Sequence, residues 1–186
     1  MSQQLLIQRN DKSVVPALKS LALGSPDWRF RIQALATLDG MNSIDEATVT
    51  TALGDKAPEV RAEAVRLSER WLREAGNPMQ AAVQKKMDDP TWTVRRQLAA
   101  SLGEMPKEAR LGPIETILRK YGNDDVTVDA AISGLNGQEA DAMLSLLQTP
   151  GTAARAVVVP HRGGGVAGGR AGTVVPGMEV EAPVVT

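Results

Sequence analysis

Apolar residues along the first 150 positions recur with the three- to four-residue spacing of a helix face, interrupted by short clusters of Gly, Pro, Asp and Asn. Three lines share one layout: SPDWRFRIQALATLDGM (25–41), DKAPEVRAEAVRLSERW (55–71) and DPTWTVRRQLAASLGEM (89–105). A fainter fourth is NDDVTVDAAISGLNG (123–137). Aligning the apolar residue near the start of each gives Phe30, Val60, Val94 and Val128, at steps of 30, 34 and 34. Periods of this size mark helical repeat arrays.

The local chemistry repeats with the letters. Five residues before each anchor stand Ser25, Asp55, Asp89 and Asn123, all able to accept from the free N–H groups of a first helical turn. Pro26 and Pro90 follow two of them, where a helix start tolerates the missing N–H. Four residues after each anchor come Ala34, Ala64, Leu98 and Ile132, extending the apolar face. Shorter amphipathic segments lie between: Val14–Leu23, Ile44–Leu53, Pro78–Met87, Pro113–Tyr121 and Ala140–Leu147. The pattern predicts a lead-in over residues 1–11, about four helix pairs over 12–150, and a tail over 151–186. No single pair buries its own apolar face, so neighbours must stack into one core.

These units resemble HEAT repeats, whose second helix opens with Asp, often Pro, then Val-Arg and a small residue. Here the match is Asp55…Val60-Arg61…Ala64 and Asp89-Pro90…Val94-Arg95, and the likeness spans roughly residues 12–148. It implies an all-α fold, a right-handed α-solenoid of about four HEAT-like helix pairs, followed by a disordered C-terminal tail. HEAT arrays serve many roles, so the likeness implies a fold more than an activity. The segments RIQALATLDGM, VRAEAVRLSERWL and VRRQLAASLGEM also resemble the HEAT segment of large exported planctomycete and verrucomicrobial proteins. That family joins a sugar-dehydrogenase-like β-propeller to HEAT repeats and a c-type cytochrome domain. On that likeness the chain is a connecting segment without the catalytic and haem parts.

Composition narrows the function classes. Basic and acidic residues number 21 and 22, for a formal net charge of −1, which argues against nucleic-acid binding through a broad positive field. There is no cysteine and only one histidine, His161, which removes thiol chemistry and covalent haem attachment and leaves little for metals. No cofactor is expected. No stretch approaches the roughly 18 apolar residues of a membrane span, and MSQQLLIQRNDKS lacks signal-peptide features. The expected compartment is the cytoplasm, or the periplasm or membrane surface if the chain is a fragment of the exported family.

The arginines Arg31, Arg61 and Arg95 directly follow the anchors; the HEAT likeness implies that each pairs with acids of adjacent units, with a basic ladder presented to an acidic partner as the alternative. Trp28 with Arg31, and Trp92 with Arg95, repeat one i, i+3 spacing that lets a guanidinium lie over an indole. These four residues are the candidate partner-binding set, with gap-filling between units as the alternative. The acidic pairs at 88–89 and 124–125 sit where capping acids belong. The His-Glu pairs of metal-binding HEAT hydroxylases are absent, and the charge balance does not favour a HEAT-type DNA glycosylase.

Beyond residue 151 the composition changes. Residues 152–186 lack Leu, Ile, Lys, Asp, Asn, Gln and Ser, while nine of the 35 are Val and seven Gly. Such a segment is expected to stay flexible. GC-rich codons in a frame not selected for folding yield this composition, so a frameshift or truncation near residue 150 is a further expectation. Gly163, Gly165 and Gly168 match a dinucleotide-binding spacing, but no strand–helix–strand unit fits around them. The functional expectation is therefore a non-catalytic scaffold or protein-interaction module, open to self-association through its ends. The accessory segment of an exported dehydrogenase–cytochrome and a HEAT-type nucleic-acid binder are the alternatives.

Overall fold

The computed structural model describes residues 2–148. The expected tail, with His161 and the glycine motif, lies outside the described residues. Among those described, the chain is all-helical. The helices are α1 (Ser2–Arg9), α2 (Val15–Gly24), α3 (Trp28–Gly40), α4 (Glu46–Ala52), α5 (Pro58–Leu72), α6 (Pro78–Gln84), α7 (Trp92–Ser101), α8 (Lys107–Tyr121), α9 (Asp125–Ser133) and α10 (Glu139–Gln148). Short 3₁₀ turns at Lys12–Val14, Lys85–Asp88 and Leu102–Glu104 join some of them.

Packing follows two series. Helices α3, α5, α7 and α9 contact one another in order, and α2, α4 and α6 do the same, with α2 against α3 and α4 against α5. One aliphatic core runs through both, from Ala22 through Leu35, Val60, Leu98 and Ile114 to Ala142. Fully buried alanines at 34, 64 and 99 let helix axes approach. Gly103 lies against Gly134, where a Cβ on Gly103 would stand 2.6 Å from the Gly134 Cα. Any side chain there would push apart the segments that follow α7 and α9.

The helix starts differ from the sequence expectation in an informative way. Asp27 and Asp124 are the N-caps of α3 and α9, accepting from the N–H groups of Arg29 (2.9 Å) and Thr127 (3.0 Å). Ser25, Asp55 and Asp89 instead lie two residues ahead of the caps, so Pro26 and Pro90 precede the helices. From there Asp55 accepts from the Ala57 N–H and Asp89 from the Thr91 N–H, each turning the chain into its helix. That position leaves most of the carboxylate free to reach another unit.

Two anchors also move. Val60 and Val94 are fully buried, but Phe30 is 57% exposed. Helix α1 meets α3 at Gln33 and Gly40, leaving the N-terminal turn of α3 uncovered by it. In α9 the buried third residue after the cap is Thr127, not Val128, and Ala131 rather than Ile132 continues the core. Aspartate at 124 starts the helix one residue earlier relative to the aligned valine, so the whole face rotates. Helix α8 begins at Lys107 rather than Pro113, which lies inside it. Buried Arg110 holds those early turns, donating to the Gln138 Oε1 (2.9 Å) and to the carbonyls of Gly103 and Asn136. These tertiary bonds offset the hydrogen bond that the proline removes.

Candidate interaction surface

The repeated arginines sit on the fourth residue after each cap, where the helix face turns from core toward the next unit. Arg31, 2% exposed, donates from Nη2 to the Asp55 Oδ1 at 2.8 Å and from Nη1 to the Ser25 carbonyl at 2.5 Å. Arg61 repeats the arrangement, with Nε and Nη2 on the two oxygens of Asp89 (2.7 and 2.9 Å) and Nη1 on the Asp55 carbonyl (2.8 Å). Each guanidinium thus ties its own helix start to the carboxylate of the following unit, in a two-pronged geometry that a lysine could not make.

The electrostatics are those of committed ion pairs. Burial pushes the Asp89 carboxyl up, but the Arg61 guanidinium with the Thr91 N–H and hydroxyl outweighs it and holds the group at about 2. The same contact raises Arg61. Asp45, the cap of α4, is lowered to about 2 by Lys19 first and Thr48 next. Asp124 is held well below the usual carboxylate range, chiefly by Arg96.

At the third unit the ladder changes hands. Arg96, one residue beyond the repeated position, takes Asp124 through Nε (3.0 Å) and Nη2 (2.5 Å). Arg95 instead lies with its guanidinium carbon 4.0 Å from the Trp92 ring centroid and 4.7 Å from that of Tyr121. The two rings meet edge to face, 5.8 Å apart. The Tyr121 hydroxyl donates to the Met87 carbonyl (2.7 Å), which fixes that ring, while Trp92 remains 38% exposed.

Of the four candidate residues, the structure therefore brings together Trp92 and Arg95 and separates Trp28 from Arg31. The Trp28 ring carries Arg29 at 4.7 Å, because burial of Arg31 against Asp55 withdraws it from the surface. Of the remaining repeat positions, Asp55, Val60, Arg61, Asp89 and Val94 lie at the interfaces between units, and Val128 is half-buried. The sequence reading missed Arg96, the tie that Asp124 makes beyond its capping role, and Tyr121. A signal existed for the first two, since Arg96 precedes Asp124 by the same 28 residues that separate Arg61 from Asp89.

Two other surface features border this region. An apolar groove of about 420 Å³ lies between α8, α9 and α10, lined by Leu118, Val128, Ile132, Leu135, Met143 and Leu147. A polar groove of about 160 Å³ at α3 and α5 holds Asp39 paired to Arg66 and Arg70. Among the described residues no helix is long and apolar enough to cross a membrane. Set against protein-family models, curated proteins and solved structures, the chain matches none of them.

Proposed function

We propose that residues 12–150 form a right-handed α-solenoid of about four HEAT-like helix pairs that serves as a non-catalytic protein-interaction module or scaffold. The ordered contacts within the α3–α5–α7–α9 and α2–α4–α6 series support the stacking, as do the Arg31–Asp55 and Arg61–Asp89 ties between successive units. A stack held by buried ion pairs, the Arg61–Asp89 pair bidentate, presents its surface side chains in fixed positions, which lowers the entropy lost on binding.

The observation that carries the functional reading is the Trp92–Arg95 pair. An exposed indole beside a guanidinium combines the two residue types most enriched in binding hot spots. Here both are held by a structured neighbour, Tyr121, rather than displayed on a loop. The test is site-specific photo-cross-linking of the full chain in its native cells. A benzophenone amino acid replaces Trp92, or, as control, Thr50, which is exposed on α4 in the other helix series. A discrete cross-linked protein species at position 92 and not at position 50 is expected. No discrete species at 92, or equal labelling at both, overturns the reading.

A further inference from the structure

Three ion pairs surround α7 and leave one of its arginines out. Asp88 pairs with Lys120, Asp89 with Arg61 and Asp124 with Arg96. Arg95 is the fourth cation of this neighbourhood, and among the described residues it makes neither an ion pair nor a hydrogen bond. Its Nε is buried without an acceptor. Arg31 shares that unpaired Nε, yet both of its Nη nitrogens are engaged. For Arg95 no acceptor reaches any of its nitrogens.

The repeat explains what is missing. At the matching position after the cap, Arg31 and Arg61 each meet an aspartate two residues before the next unit's cap. Before α9 that place is Gly122, and the nearest acid, Asp124, serves as the cap and is held by Arg96. Trp92 and Tyr121 take over the task of fixing the guanidinium, each ring face stabilising the charge without neutralising it. A guanidinium oriented in advance loses little freedom when a carboxylate arrives.

Resting on the interaction-module reading above, we propose that Arg95, held between Trp92 and Tyr121, receives a carboxylate of a partner protein while an apolar side chain of the same segment packs on Trp92. Arg95 is a single guanidinium without an ion pair among the described residues, which fits a singly charged carboxylate better than a phosphate dianion. The carboxylate stands in for the aspartate that the following unit supplies to Arg31 and to Arg61.

The full chain is to be screened against a displayed library of random dodecapeptides, and selected peptides synthesised with amidated and with free C-termini. Binding is followed by the Trp92 indole and Arg95 Nε–H signals in proton–nitrogen spectra. Expected is an Asp or Glu flanked by an apolar residue in the selected peptides, with both signals moving on binding. Changing that acid to its amide, or Arg95→Gln in the protein, should weaken binding by about tenfold or more; Arg96→Gln should not. If amidation of the C-terminus abolishes binding, the carboxylate comes from a chain end rather than a side chain, and the site is the same. Selected peptides without an acid overturn this proposal and leave the interaction module standing. So does indifference to the amide change, or stronger binding of a phosphoserine peptide. Recovery of no peptide overturns both. The amide change in the peptide decides the matter even if Arg95→Gln fails to fold.

Discussion

Asp89→Asn is the sharpest test of the ladder. The substitution is nearly isosteric, leaves an oxygen for the Thr91 N–H, and removes the charge facing Arg61, whose side chain is 11% exposed against 4% for Asp89. Asp89 titrates at about 2 rather than 3.8. At about 1.4 kcal/mol per pKa unit, that shift contributes roughly 2 kcal/mol of stability at neutral pH. Removing one partner of a buried pair leaves the other charge uncompensated, and such losses run to about 3–5 kcal/mol. We therefore expect a loss of about 2–4 kcal/mol at pH 7, the retained hydrogen bond keeping it below the upper limit.

The sign of the pH dependence follows from the depressed pKa. The stabilisation is present above the unfolded value, near 3.8, and is lost as pH falls through the folded value, near 2. At pH 2 most of it is gone. Urea unfolding of wild type and Asp89→Asn, followed by circular dichroism and tryptophan fluorescence together, measures the difference at pH 7, 4 and 2. Coincident transitions by the two probes are required, because an uncoupled repeat array would unfold in steps. The reasoning fails if the difference at pH 7 is below about 1 kcal/mol, or if it is undiminished at pH 2. Adding Arg61→Met should recover part of the loss, since removing both charges is less costly than stranding one.

Other outcomes follow from the same geometry. Gly103→Ala should destabilise by about 1–3 kcal/mol because its Cβ has no room beside Gly134. Gly24→Ala at the end of α2, where the added carbon meets nothing from the rest of the fold, should stabilise that helix by about 0.5–1 kcal/mol; thermal melts of the two variants should move in opposite directions. Tyr121→Phe removes the bond to the Met87 carbonyl and should cost about 1 kcal/mol by chemical denaturation, with the Arg95 Nε–H signal shifting as its ring partner loosens. Asp45→Ala should lose about 1 kcal/mol as the α4 cap is removed, and Asp45→Asn less, since an amide oxygen still accepts from the Thr48 N–H.

Much of the helix order was legible because it is local. The apolar spacing over residues 14–147 places a helix within each segment, and the recurrence of Val60-Arg61 and Val94-Arg95 marks equivalent positions one unit apart. The HEAT likeness implied that each repeated arginine pairs with acids of adjacent units, and Arg31 and Arg61 do so while Arg95 does not among the described residues. Helix starts were less legible. A capping residue and a turn residue two places earlier share the same chemistry, and Asp27 won the cap that Ser25 was expected to hold; at α9 the acid read at a capping place, Asp124, holds it rather than Asn123. Pro113 read as a helix start because a proline's local preference says nothing of the distant carbonyls that bind Arg110.

By itself the sequence determined the helical period, the repeat and the charge types facing each interface, because these depend on residues within a turn or two of one another. Tertiary structure decided the phase of α9, the exposure of Phe30 and the fate of the third arginine. A shift of one residue at the Asp124 cap turns a helix by about 100°, which hands the carboxylate to Arg96 and leaves Arg95 to Trp92 and Tyr121. No pattern within one unit carries that information, since it lies in how the start of one helix meets the face of the one before it.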